Sequence, residues 1–134
     1  MTSNRMPAAR TLILVLVTAC LAVLGVAAHA ADITQRELLQ RLDAHEAPLI
    51  VDVRRADEFA AGHIPGAVNI PHSEIAARLT ELRAHQHREV VVYCESGRRA
   101  AIAIRILQQA GFTQVRHLQG DMQSWRKHGL PLEE

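Results

Sequence analysis

Cysteine is scarce. Cys20 and Cys94 are the two in 134 residues, too few for a disulfide framework. Aromatic residues are also few, with Phe59, Tyr93, Phe112 and Trp125 making up 3% of the chain. That excludes an aromatic platform for stacking single-stranded nucleic acid. No charge of one sign dominates: 15 Lys and Arg stand against 14 Asp and Glu, a formal +1. Non-specific nucleic-acid binding draws on a basic face, so nucleic acid is not an expected partner. Lysine is represented by Lys127 alone, and every other cationic side chain is arginine. No internal repeat or low-complexity linker is present, and the length suits one domain of about 100–150 residues.

What the chain does have in length is one apolar run. Met1–Arg10 carries Arg5 and Arg10 and no acid, Thr11–Ala28 carries no charge, and Ala28-His29-Ala30 reads A-x-A. This order of charged start, apolar stretch and small-residue site is that of a cleavable signal peptide. Residues 1–30 are therefore expected to be a signal peptide, cut after Ala30, and residues 31–134 the mature domain, exported to the periplasm. Two minor alternatives remain. Leu12–Ala28 is at the short end of a membrane-spanning stretch of about 17–25 residues, so an uncleaved anchor is one. Val17-Thr18-Ala19-Cys20 resembles a lipobox, but the apolar run continues past Cys20. Cleavage removes Cys20 and leaves Cys94 as the sole cysteine, and no membrane contact is then expected.

The mature chain alternates strand and helix patterns. Thr34-Gln35-Arg36-Glu37 reads as a capping box opening a helix over Gln35–Asp43. Leu49–Val53 and Val90–Tyr93 are short apolar runs of the kind buried on both faces of a parallel sheet. Ala56–Ala61 predicts about one helical turn stopped by Gly62, and Ala67–Ile70 a short strand. Ile75, Leu79 and Leu82, spaced i, i+4, i+7, predict one apolar helix face. Ala100–Ala110 predicts a helix ended by Gly111, followed by a strand at Val115–Leu118 and a short helix at Asp121–Lys127. Such alternation implies an α/β fold, a parallel sheet with helices on both faces. Ligands in such sheets bind beyond the carboxyl ends of the strands, and Cys94 stands at one of those ends.

The chemistry converges on Cys94-Glu95-Ser96-Gly97-Arg98-Arg99. A tight turn from strand to helix aims successive amide N–H groups inward as an anion nest, and the helix adds its positive end. Gly97 allows the positive φ such a turn requires. A sulfur in that cradle is favoured as the nucleophilic thiolate, and the same cradle suits an anionic substrate. Glu95 sets a negative charge beside the nucleophile, for which Arg98 or Arg99 is the expected partner.

This loop resembles the C-x-x-G-x-R active-site loop of the rhodanese-type sulfurtransferases. Asp52-Val53-Arg54, Glu58-Phe59 and Gly62-His63-Ile64-Pro65-Gly66-Ala67-Val68-Asn69-Ile70-Pro71 resemble that family's N-terminal signature. Leu118-Gln119-Gly120-Asp121-Met122, Trp125 and Gly129-Leu130-Pro131 resemble its closing motif, with Asp121 where a second glycine is frequent. The resemblance covers Asp32 to Pro131. A leader plus one such domain resembles the periplasmic, phage shock protein E-like members. The resemblance implies a three-layer fold around a five-stranded, mostly parallel sheet. It also implies a thiosulfate sulfurtransferase in which Cys94 takes sulfane sulfur from thiosulfate or a similar donor. The resulting persulfide is passed to cyanide or a thiol, and no cofactor is required. Glu95, Ser96, Gly97, Arg98 and Arg99 would form the substrate loop.

An alternative within the same chemistry is a persulfide carrier that hands sulfur to a partner protein and turns over little free thiosulfate. A phosphatase or arsenate reductase is disfavoured, because relatives with those activities use Cys-x5-Arg whereas Cys94 and Arg99 enclose a six-residue loop. Asp52 is expected to pair with Arg54 or backbone amides, His63 to be a hydrogen-bonded turn residue and Trp125 to lie in the core. His85 and His87 lack further ligands at metal spacing, so no metal is expected.

Overall fold

The computed structural model describes residues 31–134; the expected signal peptide, its boundary at Ala30 and Cys20 lie outside the described residues. Helix α1 (Gln35–Asp43) begins at Thr34, whose Oγ1 accepts the Glu37 N–H at 3.1 Å. This is half of the expected capping box. The Glu37 carboxylate binds Arg116 instead, at 2.9 Å. The chain continues through β1 (Leu49–Asp52), α2 (Ala56–Ala60), β2 (Val68–Asn69), α3 (Leu79–Leu82) and β3 (Glu89–Tyr93). It ends with α4 (Arg98–Gln109), β4 (Gln114–His117) and α5 (Asp121–Lys127).

The sheet is parallel throughout, in the order β2-β1-β3-β4. Register pairs Asp52 with Tyr93 and Val92 with His117. The expected five strands are thus four. Ile33 adds only a one-residue parallel bridge to Leu118 beyond β4, because the capping residue Thr34 turns the chain into α1 immediately afterwards.

Strand alternation sorts the core onto two faces. Val90, Val92 and Cys94 belong to the cluster packed under α4, with Ala103 and Leu107. Val91 and Tyr93 belong to the opposite cluster, with Leu38 of α1 and Met122 and Trp125 of α5. Trp125 is fully buried, as expected, and its Nε1 donates to the Pro131 carbonyl at 2.8 Å.

The single helix expected across Ile75, Leu79 and Leu82 is broken. A 3-10 turn at Ile75–Ala77 and another at Arg83–His85 flank the one-turn α3. Arg78 leaves helical geometry at φ −115°, ψ 18°, so Ile75 and Leu82 reach the core from separate turns. Helix α4 begins at Arg98 rather than Ala100, capped by Gly97.

Because β1 leads to β2 on one side while β3 lies on the other, the chain's direction of winding switches between β1 and β3. That is where an open α/β sheet forms its crevice. Helix α2 borders this crevice and is tied to α4: Arg99 donates from Nη1 and Nη2 to Glu58 at 2.7 and 3.1 Å. These Arg99 hydrogen bonds outweigh burial and hold the Glu58 carboxyl at about 2, against an ordinary 4.5.

Two outcomes follow for stability. Leu107→Ala, at a fully buried site, is expected to cost about 2–5 kcal/mol in urea unfolding. Ile102→Ala, on the exposed side of α4 at 44% exposure, is expected to stay within about 0.5 kcal/mol. The depressed carboxyl of Glu58 contributes stability that is fully present above its ordinary value of 4.5 and is lost as pH falls through about 2. The stability gap between the protein and Glu58→Gln should therefore be constant above about pH 5 and close under acid. A gap unchanged to the acid end of the titration would show that the pair does not hold α2 to α4.

Candidate active site

Strand β3 delivers Cys94 to the crevice, and the next three residues reverse the chain into α4. Gly97 makes this possible. Its φ is +104°, and a Cβ there would lie 3.0 Å from the Asp121 Oδ2, so a side chain would be both strained and crowded. The Gly97 N–H turns back to donate to the Cys94 Sγ at 3.1 Å. Among the described residues, the amides of Glu95, Ser96, Arg98 and Arg99 have no protein acceptor. These donors stand in the turn and at the start of a 12-residue helix, where unpaired amides and the helix's positive end favour an anion. Cys94 itself is 1% exposed, so its sulfur is reached through the loop.

Helix α5 fixes the loop from the other side. Met122 N–H donates to the Cys94 carbonyl and Gln123 N–H to the Glu95 carbonyl, each at 3.0 Å. The Cys94 N–H donates to the Asp121 Oδ1 at 3.0 Å. Asp121, where a second glycine would be frequent in the resembled motif, keeps a glycine-like conformation at φ +52°, tolerated by Asp better than by most residues. Its carboxylate is buried and lies 2.9 and 3.0 Å from the His117 Nε2.

The charges around the loop differ from the expectation. Neither Arg98 nor Arg99 neutralises Glu95. Arg98 is exposed, and Arg99 is committed to Glu58. Glu95 instead pairs with Arg126 of α5 and faces Arg54 Nη1 at 3.7 Å. Arg54 is itself buried and held by Asp52 through Nε and Nη2 at 2.6–3.0 Å, with Nη2 also donating to the Gly62 carbonyl at 2.8 Å. Asp52 is thus the structural partner expected for it. Removing Arg54 would strand a buried carboxylate, which in general costs about 3–5 kcal/mol.

Tyr93, under the same crevice, accepts the Ile64 N–H at 3.1 Å, and burial raises its phenol well above the ordinary value. His63 stacks on Phe59 at 3.6 Å between ring centroids and contacts the Phe59 carbonyl through Nδ1 at 2.9 Å.

The mouth of the crevice is a cleft of about 320 Å³ lined by Arg54, Glu58, Gly62, Glu95, Arg126 and Leu132. A larger cleft of about 510 Å³, lined by Leu39, Gly120, Ser124, His128 and Leu130 among others, holds no cysteine. Chemistry, not size, therefore assigns the site. Among the described residues, no cluster of three or more His, Cys, Asp or Glu is arranged for a metal ion. The sequence brought Cys94, Glu95, Ser96, Gly97, Arg98 and Arg99 to one loop but missed His117, Asp121 and Arg126 as its supports. A His-x3-Asp spacing and the replaced glycine were the available signals for the first two; Arg126 carried none.

Known proteins are similar to this chain in sequence and fold. The chain is 40% identical over 101 residues to a sulfurtransferase of Allochromatium vinosum, covering 75% of this chain and 92% of that protein. It is 47% identical over 104 residues to an HTH-type transcriptional regulator of Mycobacterium tuberculosis, covering 76% of this chain but only 44% of the regulator. The solved structure of a human single-domain sulfurtransferase superposes with a TM-score of 0.63 at 30% identity, over 72% of this chain and 95% of that one. Residues 34–128 match the rhodanese-like domain. With the cysteine loop, the parallel sheet and the closing helix all inside that span, this chain belongs to the rhodanese-like family.

Proposed function

We propose that the protein is an exported sulfurtransferase that moves sulfane sulfur through a persulfide on Cys94. The observation that carries the reading is the Cys94 sulfur at the carboxyl end of β3. It accepts the Gly97 N–H at 3.1 Å in the turn that opens α4. The Cys94 thiolate attacks the outer sulfur of thiosulfate. The S–S bond of the donor breaks, sulfite leaves with the bonding electron pair, and the loop amides hold the new persulfide anion. Cyanide or an acceptor thiolate then attacks the terminal sulfur and releases the Cys94 thiolate. Sulfite is a good leaving group, so this step needs no general acid.

Arg99 supports sulfur over phosphate as the group transferred. Both terminal nitrogens of its guanidinium bind Glu58 and are not turned to the loop centre, where a tetrahedral phosphate would need them. The sulfurtransferase relative that the chain covers almost end to end supports the same chemistry.

Peptide mass at Cys94 tests the mechanism. Thiosulfate is expected to add about 32 Da, one sulfur atom, as a covalent intermediate. Cyanide should remove it as thiocyanate, and Cys94→Ser should abolish both steps. With thiosulfate and cyanide both in excess, sulfite release that continues rapidly over many equivalents identifies an enzyme, whereas release that stays near one equivalent until a protein acceptor is added identifies a carrier. Sustained thiocyanate formation by Cys94→Ser would overturn the mechanism.

Export is tested separately. The Arg5–Arg10 start, the apolar run and Ala28-His29-Ala30 support cleavage after Ala30, so N-terminal sequencing of the periplasmic fraction should begin Ala31-Asp32. Recovery only in membranes with residues 1–30 attached would replace export with anchoring.

A further inference from the structure

The His117–Asp121 pair lies directly beneath the nucleophile and is used by no step above. Asp121 Oδ1 is shared: it accepts the Cys94 N–H at 3.0 Å and lies 3.0 Å from the His117 Nε2, whose distance to Oδ2 is 2.9 Å. The carboxylate is 3% exposed and the imidazole 27%. The pair is also packed against the turn, since a Cβ on Gly97 would lie 3.0 Å from Asp121 Oδ2 and 3.5 Å from the His117 ring.

A bare carboxylate at this place works against the site. It takes one amide of the nucleophile's own residue and sets a negative charge under a sulfur meant to become anionic and to meet an anion. A protonated His117 cancels that charge. We propose that His117 and Asp121 are positioning residues whose joint charge sets how readily the Cys94 loop receives an anionic reagent. With His117 protonated the pair is neutral and the loop is receptive; with His117 neutral the pair carries a net negative charge and the loop is repulsive.

The groups facing the pair support this. Hydrogen bonding to Asp121 raises His117 above its ordinary 6.5, burial opposes it, and the charges of Asp121 and, from the segment before α1, Asp32 add to the rise. The remaining charges at the loop are Glu95 with Arg126 and Arg54, and Arg99 with Glu58. His117 is the imidazole among these groups, and imidazole is the side chain that ordinarily changes charge between about pH 5 and 8. The consequence for thiosulfate rests on the sulfur-transfer reading above; the effect on the loop does not.

The test therefore uses a probe independent of sulfur transfer. Alkylation of Cys94 in the full chain by iodoacetate and by iodoacetamide is followed from pH 6 to 9, with rates read by peptide mass so that Cys20 does not contribute. Both reagents consume thiolate, so their rate ratio cancels the thiolate fraction and reports the charge met by an anion. In the unaltered protein the iodoacetate-to-iodoacetamide ratio should fall about three- to tenfold as pH rises through the His117 titration, the effect of one partly screened charge a few ångströms away. In His117→Asn the ratio should be low and flat. In Asp121→Asn the ratio should be higher throughout and its fall moved to lower pH, because His117 still titrates but loses the carboxylate that raises it; Asn keeps an oxygen for the Cys94 N–H and tolerates positive φ. Circular dichroism verifies that each variant is folded.

A flat ratio in the unaltered protein, or the same fall in His117→Asn, would overturn the proposal. Sulfite release from thiosulfate should fall over the same pH range. A falling alkylation ratio with no sulfur loading at any pH upholds the pair's role and removes the sulfur-transfer reading instead.

Discussion

The structure depends on how the first turn of α5 grips the cysteine loop. Met122 and Gln123 donate to the two loop carbonyls, and Asp121 accepts the Cys94 amide. These three hydrogen bonds are made by consecutive residues, so they act as a unit. With the backbone polar groups of Cys94 occupied on the α5 side, the loop is free to turn its later amides toward the sulfur. The grip also explains why Cys94, one position after the last sheet pairing of β3 (Tyr93 with Asp52), can be placed so closely. Loop, sheet and α5 are joined through the carbonyls of Cys94 and Glu95, with the Arg126–Glu95 pair beside them. A site positioned by backbone groups on rigid elements is held more tightly than one left to flexible side chains.

Around this grip the arginines are already paired. Arg54 is anchored to Asp52, Arg99 to Glu58, and Arg126 to Glu95. The two partly exposed pairs contribute little to stability, whereas Arg54–Asp52 is buried; all three fix which positive groups are available. The amides provide the unshared positive character next to the sulfur, while the guanidiniums define the rim of the cleft. An incoming anion therefore meets a mouth in which Glu95 is the exchangeable carboxylate, held by one buried and one half-exposed arginine.

Much of this was legible in the sequence because it rests on local rules. Runs such as Val90–Tyr93 read as buried strands, and the Thr34 cap and Gly111 stop placed α1 and the end of α4. The cysteine between strand and helix could be assigned from chain direction alone. The failures are equally physical. A spacing of Ile75, Leu79 and Leu82 fits a helix face, yet periodicity cannot register the single residue, Arg78, at which the backbone departs from it. Glu95 was assigned to its sequence neighbours, whereas Arg54 and Arg126 reach it from distant elements. Asp121 read as a departure from a glycine pattern, but its function as the acceptor for Cys94 depends on a tertiary approach that no local pattern encodes.

The central claim is that the loop is preorganised to hold a second sulfur on Cys94. A crystal structure of the protein after reaction with thiosulfate tests it most directly. It should show one additional sulfur atom bonded to the Cys94 Sγ and in contact with loop amides, with the backbone of residues 94–99 and the first turn of α5 displaced by less than about 1 Å. An unmodified Cys94 with the donor bound elsewhere, or a loop that must release Met122 and Gln123 to admit the sulfur, would contradict it.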